Sequence, residues 1–378
     1  MVSMIGTESM NRSGLMSRSV TLIRHCHSRQ RLTTHAQPDD FHTPTSIAHF
    51  INGTDPLAGL EIPLVEIRDI PGKGRGLVAR FNISTGTRIL CEKPLLTAQA
   101  NSREELEKLV AAKLKSMPKS LQRQFLSLHN KTPGKYPFSG IFKTNALPCG
   151  PGSPIGGVYP TACLINHSCN PNAHNSWNSN EEHETIHAIR PIKRGIEITI
   201  SYDRGGPSRI RQAFLKESFG FNCTCSCCSL SSSSLQASDD RRTQIQSLDE
   251  AIGDPLRMMS NPRESLGDCY SLLQVLEQEF DGGARALIAR LYYDAFQISI
   301  AHGDQARASI FAERAYRARV ICEGEDSPET LRAKSLALKP ADHSSFGVYS
   351  RKWQTMRNLI PKGLDTVQFD NWLFRQEN

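Results

Sequence analysis

Four cysteines fall within six residues, in Phe221-Asn222-Cys223-Thr224-Cys225-Ser226-Cys227-Cys228. Thiols spaced so tightly are better suited to holding a metal ion than to pairing as disulfides. Read as Cys-x-Cys-x-x-Cys, residues Cys223, Cys225 and Cys228 offer three ligands and leave a tetrahedral ion one short, and Cys227 competes with Cys228 for the third place. Upstream, the apolar run Cys163-Leu164-Ile165 leads into Asn166-His167-Ser168-Cys169, whose polar side chains need partners if they are buried. A glycine loop, Pro71-Gly72-Lys73-Gly74-Arg75-Gly76, comes earlier. Its glycines would let the backbone approach a ligand closely enough for peptide groups to hydrogen-bond it, although by itself the segment reads as an ordinary hairpin turn.

These groups need elements to hold them. Leu64 to Ile67 alternates like a strand, Leu77 to Arg80 forms a second, and Arg88 to Glu92 a third closed by Pro94, so a β-meander opens the domain. Between Ser102 and His129, Leu106, Leu109, Val110, Leu114, Leu121, Phe125 and Leu128 recur at helical spacing. Strand character is expected again from Phe138 to Asn145 and from Thr185 to Ile189. Glu197-Ile198-Thr199-Ile200-Ser201-Tyr202 then follows the turn Lys193-Arg194-Gly195 and ends on a tyrosine. Arg211, Leu215 and Phe219 make one stripe of a short helix.

The serine-rich stretch after Ser229 reads as a linker over 230–245, and 246–378 as helical, with helices expected at Ser265–Phe280, Arg285–Ala301 and Gln305–Cys322. Gly303-Asp304, Phe311, Ala315 and Gly324-Glu325-Asp326-Ser327-Pro328 are similar to a tetratricopeptide helix pair. That pair reads either as a partner-binding arm or as a helical layer packed on the first domain.

The 378 residues suit two cores. A net charge of +7, spread without a basic tract, gives no expectation of direct nucleic-acid binding. Eleven cysteines and no secretory signal point to a reducing, intracellular setting, nuclear or cytoplasmic, and no apolar run approaches the roughly 20 residues a membrane span needs. Residues 1–60 are set apart from the fold. From Asn11 to Gln37 they carry five arginines and no acid, which reads either as a disordered tail or as a mitochondrial targeting segment.

In order and in motif, the segment from about Ile62 to Ser229 resembles a SET-domain protein methyltransferase of the SET-and-MYND subgroup. The resemblance implies an α+β fold: a β-rich SET domain over 61–229 with a helical insertion at 98–137 and a zinc-bound post-SET segment, followed by an α-helical, tetratricopeptide-like region. The insertion contains no cysteine, so a MYND zinc finger is not expected. The implied cofactors are S-adenosylmethionine and a structural zinc ion. Carried onto this chain, donor binding falls to Lys73, Gly74, Arg75 and Gly76 of the glycine loop, to Asn145 ahead of Gly157-Val158-Tyr159-Pro160, to Asn166 and His167, to Tyr202, and to Phe221 stacked on the adenine. The zinc ligands are Cys169, Cys223, Cys225 and Cys228, and Tyr202 is the catalytic residue.

The implied reaction is in-line methyl transfer to a lysine of a protein substrate, histone or other. A lysine amine has an ordinary pKa of about 10.4, so it must lose its charge in a dry channel before it can attack. The alternative is a catalytically inactive SET scaffold that binds a protein partner through its helical region. A zinc-dependent DNA-binding regulator is disfavoured, because no basic recognition helix accompanies the cysteines.

Overall fold

The computed structural model describes residues 63–203 and 205–376, so the targeting or tail reading of residues 1–60 lies outside the described residues. β1 (Val65–Ile70) and β2 (Gly74–Ala79) pair antiparallel, with Val65 opposite Ala79 and Ile70 opposite Gly74. Gly72 and Gly74 turn the chain at φ of +74° and +75°, the left-handed region that costs glycine little. β3 (Arg88–Glu92) and β4 (Leu96–Ala98) pair not with this hairpin but with later strands in two other sheets, so the opening is a hairpin and not the expected meander: sequence neighbours gave way to partners farther along the chain.

The insertion is helical, as its periodicity predicts. α1 (Arg103–Lys115) is capped by Ser102, whose hydroxyl accepts the Glu105 N–H, and it buries Leu106, Val110 and Leu114 on one face. α2 (Lys119–Leu126) follows, and then α3 (Pro137–Asn145), where strand was expected. Pro137 sits in the first turn, where its missing N–H costs nothing. The Glu107 carboxylate of α1 accepts the N–H groups of Phe138 and Ser139 at 3.2 and 2.6 Å, and Ile141, Phe142 and Asn145 share a buried face. Their three- and four-residue spacing is helical, and the capping acid comes from another element, which a local reading does not see.

β5 (Leu147–Pro148) and β6 (Gly156–Val158) join β4 in the order β4-β6-β5. β7 (Asn166–His167), β8 (Ala173–Asn178) and β9 (His183–Ala188) follow; β9 lies between β3 and β8 in a second sheet. β10 (Thr199–Ile200) runs parallel to β7, and α4 (Ser208–Phe219) leads to the cysteines. One apolar core, including Leu77, Val158, Ile165, Ile186 and Ile198, holds these sheets and α1 together.

The remainder is helical. α5 (Ser232–Ile252), α6 (Pro255–Ser260), α7 (Pro262–Phe280), α8 (Arg285–Ala301), α9 (Gln305–Glu323), α10 (Pro328–Leu338) and α11 (Thr366–Leu373) surround a second core with Leu266, Phe296, Phe311 and Phe374 at its centre. Most of the stretch expected to be a linker is thus the N-terminal part of α5. Arg242, Ile245, Leu248 and Ile252 repeat at helical spacing and dock on α7 and its surroundings, and that packing outweighs the weak helix preference of the serines. In the α8–α9 hairpin, Gly303 takes φ of +86° and Asp304 caps α9. Ala308, Ala312 and Ala315 are buried and let the helices approach closely. α9 also lies against β8 and β9, which joins the two regions. Among the described residues no helix is long and apolar enough to cross a membrane.

Candidate active site

The site is built where two chain segments run side by side. In the β7–β10 pair Asn166 faces Thr199 and His167 faces Ile200, and the Ser168 N–H continues the pairing to the Ile200 carbonyl at 3.0 Å. Asn172 straps the crossing: its amide donates to the Glu197 carbonyl at 2.8 Å and accepts the Thr199 N–H at 2.9 Å. On the entry side, the Glu92 carboxylate accepts the Thr161 and Ala162 N–H groups, fixing the 3-10 turn Ala162–Leu164 just before Asn166. These restraints put Tyr202 beside Ile165, and the phenol donates to the Ile165 carbonyl at 2.5 Å.

His167 is buried, and its Nδ1 accepts the Tyr202 backbone N–H at 2.9 Å. Its proton therefore sits on Nε2, which faces the Cys169 sulfur at 3.2 Å and the Asp203 carboxylate at 3.4 Å. Burial lowers its pKa, so the ring is neutral at physiological pH. Both nitrogens are thus engaged by the protein. Phe219 lies 4.8 Å from Tyr202 and Phe221 lies 6.2 Å from His167, ring centre to ring centre.

The glycine loop is bound to the same crossing. The Asn166 amide nitrogen donates to the Arg75 carbonyl at 3.2 Å and to Glu197 Oε1 at 2.9 Å, while Glu197 Oε2 pairs with Lys73 at 2.6 Å. Because both partners of that nitrogen are acceptors, the orientation of the amide is determined. A side chain at Gly76 would put its Cβ 2.7 Å from Ile70 Cγ1 and 2.8 Å from the Asn166 nitrogen, so only glycine fits beneath Asn166. The Arg75 guanidinium reaches the Ser127 carbonyl at the end of α2 at 2.5 Å. Asn145, at the end of α3, donates to the His129 and Ile141 carbonyls at 2.7 Å each.

A cleft of about 670 Å³ gathers these groups: Lys73, Gly74, Arg75, Asn145, Asn166, His167, Tyr202 and Phe221 all line it. Gly76 sits behind the wall. Sequence reasoning missed Phe219, which lines the cleft, Glu197, which holds its wall through Asn166, and Asp203, which lies 3.4 Å from the His167 ring and accepts the Gly205 N–H. The stripe of α4 pointed at Phe219 but not at what it faces, and no local signal marked either acid.

Next to the cleft, the sulfurs of Cys169, Cys223, Cys225 and Cys228 all lie within 4.8 Å of one another and could hold a metal ion. Cys227 is directed elsewhere, with its sulfur 3.6 Å from both Arg211 and Arg242 and 4.0 Å from the Ser238 hydroxyl. The four thiols are tightly coupled through hydrogen bonds to one another, which hold Cys225 and Cys228 below the usual thiol range and raise Cys169 and Cys223 above it. Gln212 fixes Cys223 by bonding both its N–H and its carbonyl, at 2.8 and 2.7 Å. The fully buried Arg211 stands 3.9 Å from the Cys228 sulfur, and Arg242 of α5 donates to the Cys169 carbonyl at 3.1 Å, so positive charge surrounds the thiols. Four sulfur donors suit a closed structural zinc centre.

The sequence has known relatives. The SET-domain family profile matches residues 74–203. The chain is 34% identical over 286 residues, 75% of its length and 86% of the relative's, to the histone-lysine N-methyltransferase set5 of Schizosaccharomyces pombe. It is 40% identical over 74 residues, 19% of its length and 15% of the relative's, to the histone-lysine N-methyltransferase ASHR1 of Arabidopsis thaliana. A solved structure of the SET domain of LSMT bound to lysine and AdoHcy aligns over 75% of this chain and 90% of that one, with 14% identity and a TM-score of 0.31. With a relative matched over most of both lengths, the chain belongs to the SET-domain protein family.

Proposed function

We propose that the protein is a lysine methyltransferase that takes its methyl group from S-adenosylmethionine and delivers it to a protein substrate, histones among the candidates. The observation that carries this reading is the single cleft shared by the glycine loop, Asn166, His167, Tyr202 and Phe221. Membership of a family whose matched relatives are named histone-lysine N-methyltransferases supports it.

S-adenosylmethionine supplies an electrophilic methyl group on a sulfonium. In this reading the backbone of Lys73 to Arg75 takes the amino-acid end of the donor. Asn166, whose NH₂ is already bonded to protein acceptors, offers its carbonyl to the donor ammonium. Phe221 packs on the adenine, and Asn145 closes the far wall. The Tyr202 proton is directed at the Ile165 carbonyl, so toward the incoming amine the phenolic oxygen acts as an acceptor and turns the nitrogen lone pair to the methyl carbon. Exclusion of water favours the neutral amine that the displacement requires.

Cys169, Cys223, Cys225 and Cys228 would hold zinc as a structural ion that ties the post-SET segment to Asn166-His167. The α8–α9 hairpin, with its buried alanine stripe, supports a tetratricopeptide-like region suited to a protein partner. An intracellular, nuclear setting fits the histone-modifying relatives.

The test is calorimetry with S-adenosylmethionine, followed by incubation of the protein with labelled donor and a whole-proteome extract that includes histones. Donor binding with label on protein lysines is the expected result. Donor binding without label on any protein would overturn the enzyme reading in favour of a scaffold.

A further inference from the structure

We propose that Glu197 is a positioning residue for donor binding, one that touches no ligand and acts by holding Asn166 and the glycine loop in register. The inference rests on the donor-binding reading above.

Glu197 does not line the cleft, and its side chain is only 17% exposed. Its backbone is pinned from two sides, by an antiparallel bridge to Val78 of β2 and by the Asn172 amide on its carbonyl. The carboxylate is thereby placed between two elements far apart in sequence. One oxygen takes the Lys73 ammonium at 2.6 Å and the other the Asn166 amide at 2.9 Å. The same carboxylate passes 3.2 Å from the place a Cβ on Gly76 would occupy, which keeps this corner closely packed.

Asn166 can offer its carbonyl to the cleft only while its NH₂ has acceptors behind it. Arg75 provides one through its backbone, and Glu197 the stronger, charged one. Without the carboxylate only the longer bond to the Arg75 carbonyl orients the amide, which can then turn and present NH₂ to a cationic group that repels it. The Lys73 ammonium also loses the ion pair that ties the glycine loop to the crossing.

The test uses the full chain and two ligands, S-adenosylmethionine and its analogue lacking the α-amino group. Glu197→Ala should weaken the natural donor roughly tenfold, the scale of one net hydrogen bond to a charged group, and change the analogue's affinity less than about twofold. Glu197→Gln keeps an acceptor for Asn166 but opposes Lys73 with an N–H, and should lose about threefold for the natural donor. If Glu197→Ala lowers the melting temperature markedly, Glu197→Gln carries the comparison alone. Unchanged donor affinity, or equal losses for both ligands, would overturn the positioning role. A wild-type protein that binds neither ligand would instead overturn the donor-binding reading itself.

Discussion

The Nδ1 atom of His167 accepts the backbone N–H of Tyr202 at 2.9 Å. This bond joins the two halves of the site across 35 residues of chain, and it fixes the imidazole tautomer. With the other nitrogen facing Cys169 and Asp203, the ring lies between the thiol cluster and the tyrosine. Any disturbance of the cluster therefore reaches Tyr202 through one side chain.

Tyr202→Phe removes a hydroxyl and leaves the ring on Phe219. Methyl transfer should fall on the order of a hundredfold, the usual cost of one positioned polar group at a reacting centre. Donor affinity and the melting temperature should stay near wild type, as measured by calorimetry and circular dichroism. Full transfer activity in the variant would remove Tyr202 from the chemistry.

Elemental analysis should find one zinc per chain. Cys169→Ser and Cys223→Ser should each lower metal content and melting temperature together. Cys227→Ser should keep its zinc, because that sulfur faces Arg211 and Arg242 rather than the cluster. Zinc lost from Cys227→Ser but kept in Cys228→Ser would reverse the assignment.

Gly76→Ala forces a methyl group to within 2.8 Å of the Asn166 nitrogen and 2.7 Å of Ile70. The strain is local, and over-packing of this kind costs about 1–3 kcal/mol. Donor affinity should drop about tenfold or more while the chain stays folded. Calorimetry showing wild-type affinity would mean that the corner yields more easily than its packing indicates.

Glu184 on β9 is buried; one oxygen accepts the Asn175 amide at 2.9 Å and the other has no partner. Burial raises its pKa to about 8, above the ordinary 4.5. The folded state thus keeps a proton that the unfolded state releases, so this group's contribution is complete below 4.5 and is lost as pH rises through 8. Glu184→Gln keeps the acceptor for Asn175 without the titration. Thermal melts should place the variant roughly 2–4 °C above wild type at pH 8 and close to it at pH 4.5, and an equal offset at both values would count against the assignment.

Sequence by itself was enough where the signal is short-ranged. Glycines at a tight turn, apolar spacing along α1 and α8, and cysteines two and three residues apart each carry their meaning within a few residues, because backbone sterics and helical period act over that distance. Family resemblance added the partners of those groups, and the structure brings together Cys169 and Cys223, separated by 54 residues. Other features were decided only by the tertiary structure. Phe138 to Asn145 became helix because Glu107 caps it and the core takes its apolar face, and the serine-rich stretch became α5 because Arg242 meets Glu279 and Cys169. The Lys73–Glu197 pair spans 124 residues, and nothing near either residue announces the other. Such contacts exist only once the crossing of β7 and β10 has formed, because an ion pair at the end of two long side chains has no period or turn chemistry by which to be read.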